Sequence, residues 1–151
     1  ARSGLQLTYP AGWVVSETEG IVTVGNNFHA LESVELAPGD VSITILPPYP
    51  PVLLQESNTT MPDTLVNRAL ARYAPDAVGA PVEDSIGGQP ATRVPLTGAA
   101  LEGFGVAIEL QDGHVVLAFV DSAPGTLAAQ EGTVREILSS LRYEIPEPTP
   151  A

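Results

Sequence analysis

Apolar and polar positions alternate along the chain in two periods, and these divide it into short strands and two amphipathic helices. Val41-Ser42-Ile43-Thr44-Ile45 repeats every second residue, which predicts a strand with one buried and one polar face. Residues 5–9 alternate in the same way and stop at Pro10-Ala11-Gly12, a turn signal. Residues 13–16 and 21–24 flank Glu17-Thr18-Glu19-Gly20, so they are expected to pair as a hairpin. Pro47, Pro48, Pro50 and Pro51 fix φ and remove backbone donors, which predicts a stiff loop after the Val41–Ile45 strand.

Helical spacing appears twice. Thr60 is suited to an N-cap, with Pro62 and Asp63 in the first turn, where a missing N–H and a negative charge are both favourable. Leu65, Val66, Ala69, Leu70 and Tyr73 then form one apolar stripe, Arg68 and Arg72 sit near the C-terminal end, and Pro75 stops the run. A second helix is expected from Ser122 or Pro124, with Leu127, Val134, Ile137, Leu138 and Leu141 facing inward. Glu131 and Arg135 have the i,i+4 spacing of an outer-face ion pair, and Gly132 weakens the middle of this helix by about 1 kcal/mol relative to Ala.

Between the helices, Gly87-Gly88-Gln89-Pro90 predicts a turn into a strand over residues 91–96. Residues 104–111 and 114–120 flank Asp112-Gly113, a preferred two-residue hairpin loop. That loop predicts the pairs Leu110 with Val115, Ile108 with Leu117 and Val106 with Phe119 on one face. It sets Gly105 against Val120, Ala107 against Ala118 and Glu109 against Val116 on the other, a row small enough for close helix approach. The unbroken apolar run 115–120 needs cover on both faces, which places it near the middle of a sheet. The expected fold class is α+β: a twisted, mostly antiparallel sheet with helix or loop cover on each side.

A length of 151 residues suits one domain, and no internal repeat divides it. Residues 1–145 are expected to form that domain and the Pro-rich residues 146–151 a tail or linker. Six Arg face eighteen Asp and Glu, giving a net charge of -12 that disfavours nucleic acid and anionic lipid as partners. No apolar run reaches membrane-spanning length, so no direct membrane insertion is expected. Lysine is absent, which removes Schiff-base chemistry and the P-loop and kinase lysines. Cysteine is absent too, which removes thiol catalysis, disulfides and thiolate metal sites. The opening at Ala1 has no basic and apolar leader, so a signal segment is expected to have been removed or never present.

Two histidines are available for acid–base or metal chemistry. In the hairpin register above, His114 lies diagonally near Glu109 with Asp112 close by, so His114, Asp112 and Glu109 are candidates for a divalent-ion site. A solvated hairpin tip accounts for the same residues and is preferred, so no metal ligand is assigned. His29 lies in Asn26-Asn27-Phe28-His29, read as a loop, with Glu32 and Glu35 following; simple exposure is the preferred reading there as well. Gly-x-Ser-x-Gly, His-Glu-x-x-His, Gly-x-Gly-x-x-Gly and calcium-loop patterns are all missing. Trp13 and Tyr9 suit either a binding groove or core filling, with core filling preferred. Asn58-Thr59-Thr60 matches a glycosylation sequon, read as coincidence. No catalytic residue and no cofactor are expected.

Leu7-Thr8-Tyr9-Pro10-Ala11-Gly12-Trp13 resembles the opening of PsbP-like domains. Gly87-Gly88-Gln89-Pro90-Ala91 is similar to their glycine-rich turn before the central meander, and Ile137-Leu138-Ser139-Ser140-Leu141 to their closing helix. The likeness runs from about Gly4 to Glu144. It implies an α/β/α sandwich and a non-enzymatic role, the family including a photosystem II extrinsic subunit, a small-GTPase-binding import factor and bacterial envelope lipoproteins. The chain departs from the plant subunits in having no lysine for docking, and from the lipoproteins in showing no anchoring cysteine within these residues, although it could lie just upstream of Ala1. The envelope branch fits best. The expectation is a non-catalytic, extracytoplasmic domain, secreted or membrane-tethered, that binds a protein partner or small ligand. The alternative is a hydrolytic or metal-dependent enzyme using His114 or His29 with nearby carboxylates, and a third reading is a bridging domain in a longer exported polypeptide.

Overall fold

The computed structural model describes residues 5–32, 37–50, 61–98, 102–110 and 113–143. The chain runs β1 (Leu5–Gln6), β2 (Val14–Thr18), β3 (Ile21–Gly25), α1 (Phe28–Glu32), β4 (Val41–Ile45) and α2 (Met61–Arg72). A 3-10 turn at Pro75–Ala77 follows, then β5 (Val82–Ile86), β6 (Gln89–Thr97), β7 (Glu102–Glu109), β8 (Val115–Ser122), α3 (Leu127–Ser139) and β9 (Arg142–Tyr143). The main sheet has seven strands in the order β2-β3-β4-β8-β7-β6-β5, antiparallel throughout. A separate two-stranded ladder joins β1 to β9. This is the expected α+β architecture, and β8 holds the central place that its apolar run requires.

Two cores lie on the two sides of the sheet. On one side Val22, Val24, Ile43, Phe104, Val106, Ile108, Val116 and Val120 meet Val134, Ile137 and Leu138 of α3. On the other, Val94, Leu96, Ala107, Leu117 and Phe119 meet Leu65 and Ala69 of α2. The predicted α2 stripe is corrected at Leu70, which is exposed, because the helix buries only the narrower strip over the small residues of β7.

The hairpin register is also corrected, by one residue. Val115 pairs with Glu109, Val116 with Ile108, Leu117 with Ala107, Ala118 with Val106 and Phe119 with Gly105. The loop is therefore three residues long rather than two. Leu110 N–H donates to the His114 carbonyl at 2.8 Å, which closes the ladder around residues 111–113, and Gly113, with a φ of 87°, donates its N–H to the Leu110 carbonyl at 2.9 Å. Such a slip exchanges the faces of one strand relative to the other. The large residues of β8 at 115, 117 and 119 thus oppose Glu109, Ala107 and Gly105. That pairing of bulk with smallness opens the channel that α2 fills.

The start of α3 is later than expected. Ser122 is the fully buried end of β8, donating to the Glu102 carbonyl at 2.8 Å, and the helix begins at Leu127. Glu131 and Arg135 each also take a partner on the sheet, while the Glu131 charge still acts on Arg135 along the helix. Glu131 accepts from Arg93 of β6 at 2.8 Å, and Arg135 forms a two-point bridge at 3.0 Å to each oxygen of Asp84 on β5. The sheet offers each side chain a partner within reach, and a bidentate Arg–carboxylate geometry exceeds a surface i,i+4 pair. Arg135 holds the Asp84 carboxyl below its ordinary value despite burial that acts in the opposite sense. Midway along α3, a Cβ on Gly132 would meet nothing within 4 Å. Gly132→Ala is therefore expected to stabilise the fold by up to about 1 kcal/mol, read as a rise of a few degrees in the thermal midpoint.

Candidate functional site

The densest polar cluster lies between α1 and the entry to β4. Asn27 caps α1: its Oδ1 accepts from the Ala30 N–H at 2.9 Å, while its Nδ2 donates to Asp40 Oδ1 at 2.8 Å. Asp40 is buried, with 6% of its side chain exposed, and its Oδ2 takes the Ala37 N–H at 2.9 Å and the Nδ1 of His29. Neighbouring Asn26 donates to the Gly39 carbonyl at 2.7 Å and accepts from the Val41 N–H at 2.9 Å. Thr126 reaches in from the other side, accepting the Gly39 N–H at 3.0 Å.

Electrostatics follow from that donor set. Burial alone would push the Asp40 carboxyl up. Hydrogen bonds from Asn27, His29 and Ala37, with the His29 charge when present, outweigh it and hold the carboxyl below its ordinary value. An ionised carboxylate only accepts, so His29 Nδ1 must carry a proton. The basic lone pair of the neutral ring is then on Nε2, and 54% of the His29 side chain is exposed. His29 is exposed as expected, but it is helical and tied to a buried carboxylate, which corrects its expected place in a loop. Glu35 lies outside the described residues, as does the side chain of Glu32.

Of the candidates His114, Asp112 and Glu109, the strand register sets the first and last apart. Asp112 lies outside the described residues. Successive side chains of a strand point to opposite faces, so the one-residue register change separates the other two. Glu109 pairs with Val115, whereas His114 lies on the face of Val116, its ring 4.7 Å from that of Tyr143 on β9. No group of three or more His, Asp or Glu placed to hold a metal occurs among the described residues.

The remaining polar groups act as fasteners. Tyr73, at the end of α2, donates to Asp121 of β8 at 2.6 Å, and burial followed by the Asp121 charge pushes its phenol well above the ordinary value. Arg72 lies over the rings of Tyr73 and Phe119 and 3.7 Å from Asp121. Arg68 donates from Nε to the Tyr49 hydroxyl at 2.9 Å. Tyr49 itself exchanges backbone bonds of 2.8 and 3.0 Å with Val115, which fixes the start of the proline-rich loop. Trp13 packs against the α3-side core, as core filling requires, and Tyr9 is exposed. Asn58, Thr59 and Thr60 lie outside the described residues. The Asp40 cluster escaped sequence reasoning because eleven positions separate its two ionisable members; the adjacent Asn26-Asn27 before an apolar residue was the available capping signal.

Comparison with solved structures finds the same fold in cyanobacterial PsbP (CyanoP) from Synechocystis sp. PCC 6803. The TM-score is 0.54 at 14% identity, over 94% of this chain and 88% of that one. A Bacteroides thetaiotaomicron protein matches 95% of this chain and 47% of its own, at 11% identity and a TM-score of 0.49. A Pseudomonas aeruginosa protein of unknown function, described as a putative regulator, matches 96% and 99% of the two chains at 15% identity and a TM-score of 0.48. Neither a protein-family model nor a curated protein sequence matches the chain. The fold is that of a PsbP-like domain.

Proposed function

From a chain with the PsbP fold, we propose a non-catalytic, extracytoplasmic domain of the PsbP-like family that binds a protein partner or small ligand. In this reading residues 1–145 form the binding unit and residues 146–151 tether it, whether the whole is secreted or held at a membrane. The observation that carries it is the agreement in fold over 94% of the chain. The placement of the two histidines supports it: His114 packs on Tyr143, and His29 serves the α1–Asp40 cluster. Among the described residues no hydroxyl is hydrogen-bonded to the His29 ring as a triad nucleophile would be.

The His29–Asp40 pair is nonetheless the one feature that favours the hydrolytic alternative, with His29 Nε2 as a general base toward water. Assays of the purified chain on ester, phosphomonoester and peptide substrates decide between them. Wild type and the His29→Ala/His114→Ala double variant are expected to show the same background turnover. Turnover above background that disappears in the double variant would establish the hydrolase instead.

A further inference from the structure

The first and last described strands meet. Leu5 pairs with Tyr143 and Gln6 with Arg142 in an antiparallel ladder separate from the seven-stranded sheet. Just past it, Ser140 Oγ accepts the Thr8 N–H at 2.8 Å. Leu5, Leu7 and Tyr143 lie half-buried against the α3-side core, while Gln6, Thr8 and residues 9–12 are exposed. The arm then turns at Pro10-Ala11-Gly12, where the Trp13 N–H donates to the Pro10 carbonyl at 3.2 Å and Gly12 takes a φ of 92°. A Cβ on Gly12 would meet nothing within 4 Å, so the turn stands clear of the body, and β2 starts two residues later.

Local stability follows what each segment commits to the fold. Strands β4, β7 and β8 are mostly buried and are paired with a neighbour on both edges. Residues 5–12 commit two half-buried leucines and backbone bonds that lie at the surface. Segments of that kind open at a fraction of the global free energy, and a two-stranded ladder is marginal by itself. The direction of load matters as well. Because Leu5 faces Tyr143, the chain enters and leaves the described fold side by side. Tension between its two ends therefore loads that rung first and parts the ladder pair by pair, ahead of the sheet.

We propose that residues 5–12 form a releasable strap, hinged at Pro10–Gly12, which peels from β9 when the two ends of the chain are drawn apart and uncovers the edge of the α3-side core while the main sheet stays folded. The strap rests on the ladder geometry and is independent of the partner-binding reading. Amide hydrogen exchange of the full chain, followed by NMR with the Thr8 N–H as reporter, tests the separate opening. Ile43→Val trims a fully buried side chain of β4. It is expected to speed exchange of the slowest β4 and β8 amides about three- to tenfold and to leave Thr8 unchanged, because position 43 stays packed when the strap opens. Leu7→Ala, which weakens the strap's own anchor, should speed Thr8 exchange by up to about tenfold. Thr8 accelerated by Ile43→Val as much as β8, or indifferent to Leu7→Ala, would show that residues 5–12 do not open as a unit of their own. Optical-tweezers pulling from the two ends tests the response to load. The main unfolding event should release the length of residues 13–141 rather than 5–143, shorter by on the order of 35 Å. A main event that releases the full length of 5–143 would mean that the strap holds until the sheet fails, and would overturn the device.

Discussion

Replacing Gly103 by alanine is expected to cost at least about 3 kcal/mol, at the upper end of overpacking effects. Gly103 faces Asp121 across the β7–β8 ladder at the middle of the sheet, where an added Cβ would stand 1.8 Å from the Val120 carbonyl oxygen. No rotamer relieves that contact, because the obstacle is backbone and the strand carrying it is hydrogen-bonded on both sides. Gly105 is the internal comparison. A Cβ there would meet the Phe119 ring at 3.0 Å and the Leu65 methyl at 3.3 Å, both side-chain atoms able to shift. Gly105→Ala is accordingly expected to cost about 1–2 kcal/mol. Urea unfolding of the two variants gives the order directly. An equal or smaller loss for Gly103→Ala would mean that β7 and β8 do not meet in this register.

Asp40→Ala is expected to lower stability by about 2–3 kcal/mol near neutral pH, a fall of about 5–10 °C in the thermal midpoint. The substitution strands the Asn27 amide, the Ala37 N–H and His29 Nδ1–H, three donors that now converge on one carboxylate. The cluster lies just beneath the surface, so water reaches some of these groups, and the loss stays short of that for a deeply buried ion. The pH dependence has a definite sign. The folded-state carboxyl titrates below its unfolded value of 3.8, so its contribution is complete above that pH and is lost as pH falls through the folded value. Wild type should therefore shed part of its stability below about pH 4, and Asp40→Asn should lack that part of the acid slope. Denaturant titrations at pH 7, 4 and 3 measure both. A mutant acid limb as steep as the wild-type one would show that Asp40 is not the ionised acceptor.

Local sequence signals located most elements because each is written in consecutive residues. Val41–Ile45 alternates and lies in the sheet, with Val41, Ile43 and Ile45 fully buried. The run from Val115 to Val120 is apolar on both faces and is buried on both. Pro62, Asp63 and Pro75 bracket α2 within a residue or two. The hairpin loop was misjudged because Asp-Gly fits a two-residue loop and the end of a three-residue one alike; only the contacts of both flanking strands choose between them. That choice in turn set His114 and Glu109 on opposite faces.

The candidate site was legible only in its parts. Asn26-Asn27, Phe28, His29 and Asp40 were all visible, but nothing in their spacing joins a histidine to an aspartate eleven residues away or sets Thr126 behind both. The sequence by itself determined the periodicities, the turns, the stretch 3–67 without Arg or Lys, and the absence of thiol and lysine chemistry, because these depend on neighbours along the chain. Tertiary structure decided the strand register, the cross-sheet partners of Glu131 and Arg135, the tautomer of His29 and the exposure of Phe28. Each of those is a competition among groups distant in sequence, settled by which partner the packed sheet brings within hydrogen-bonding reach.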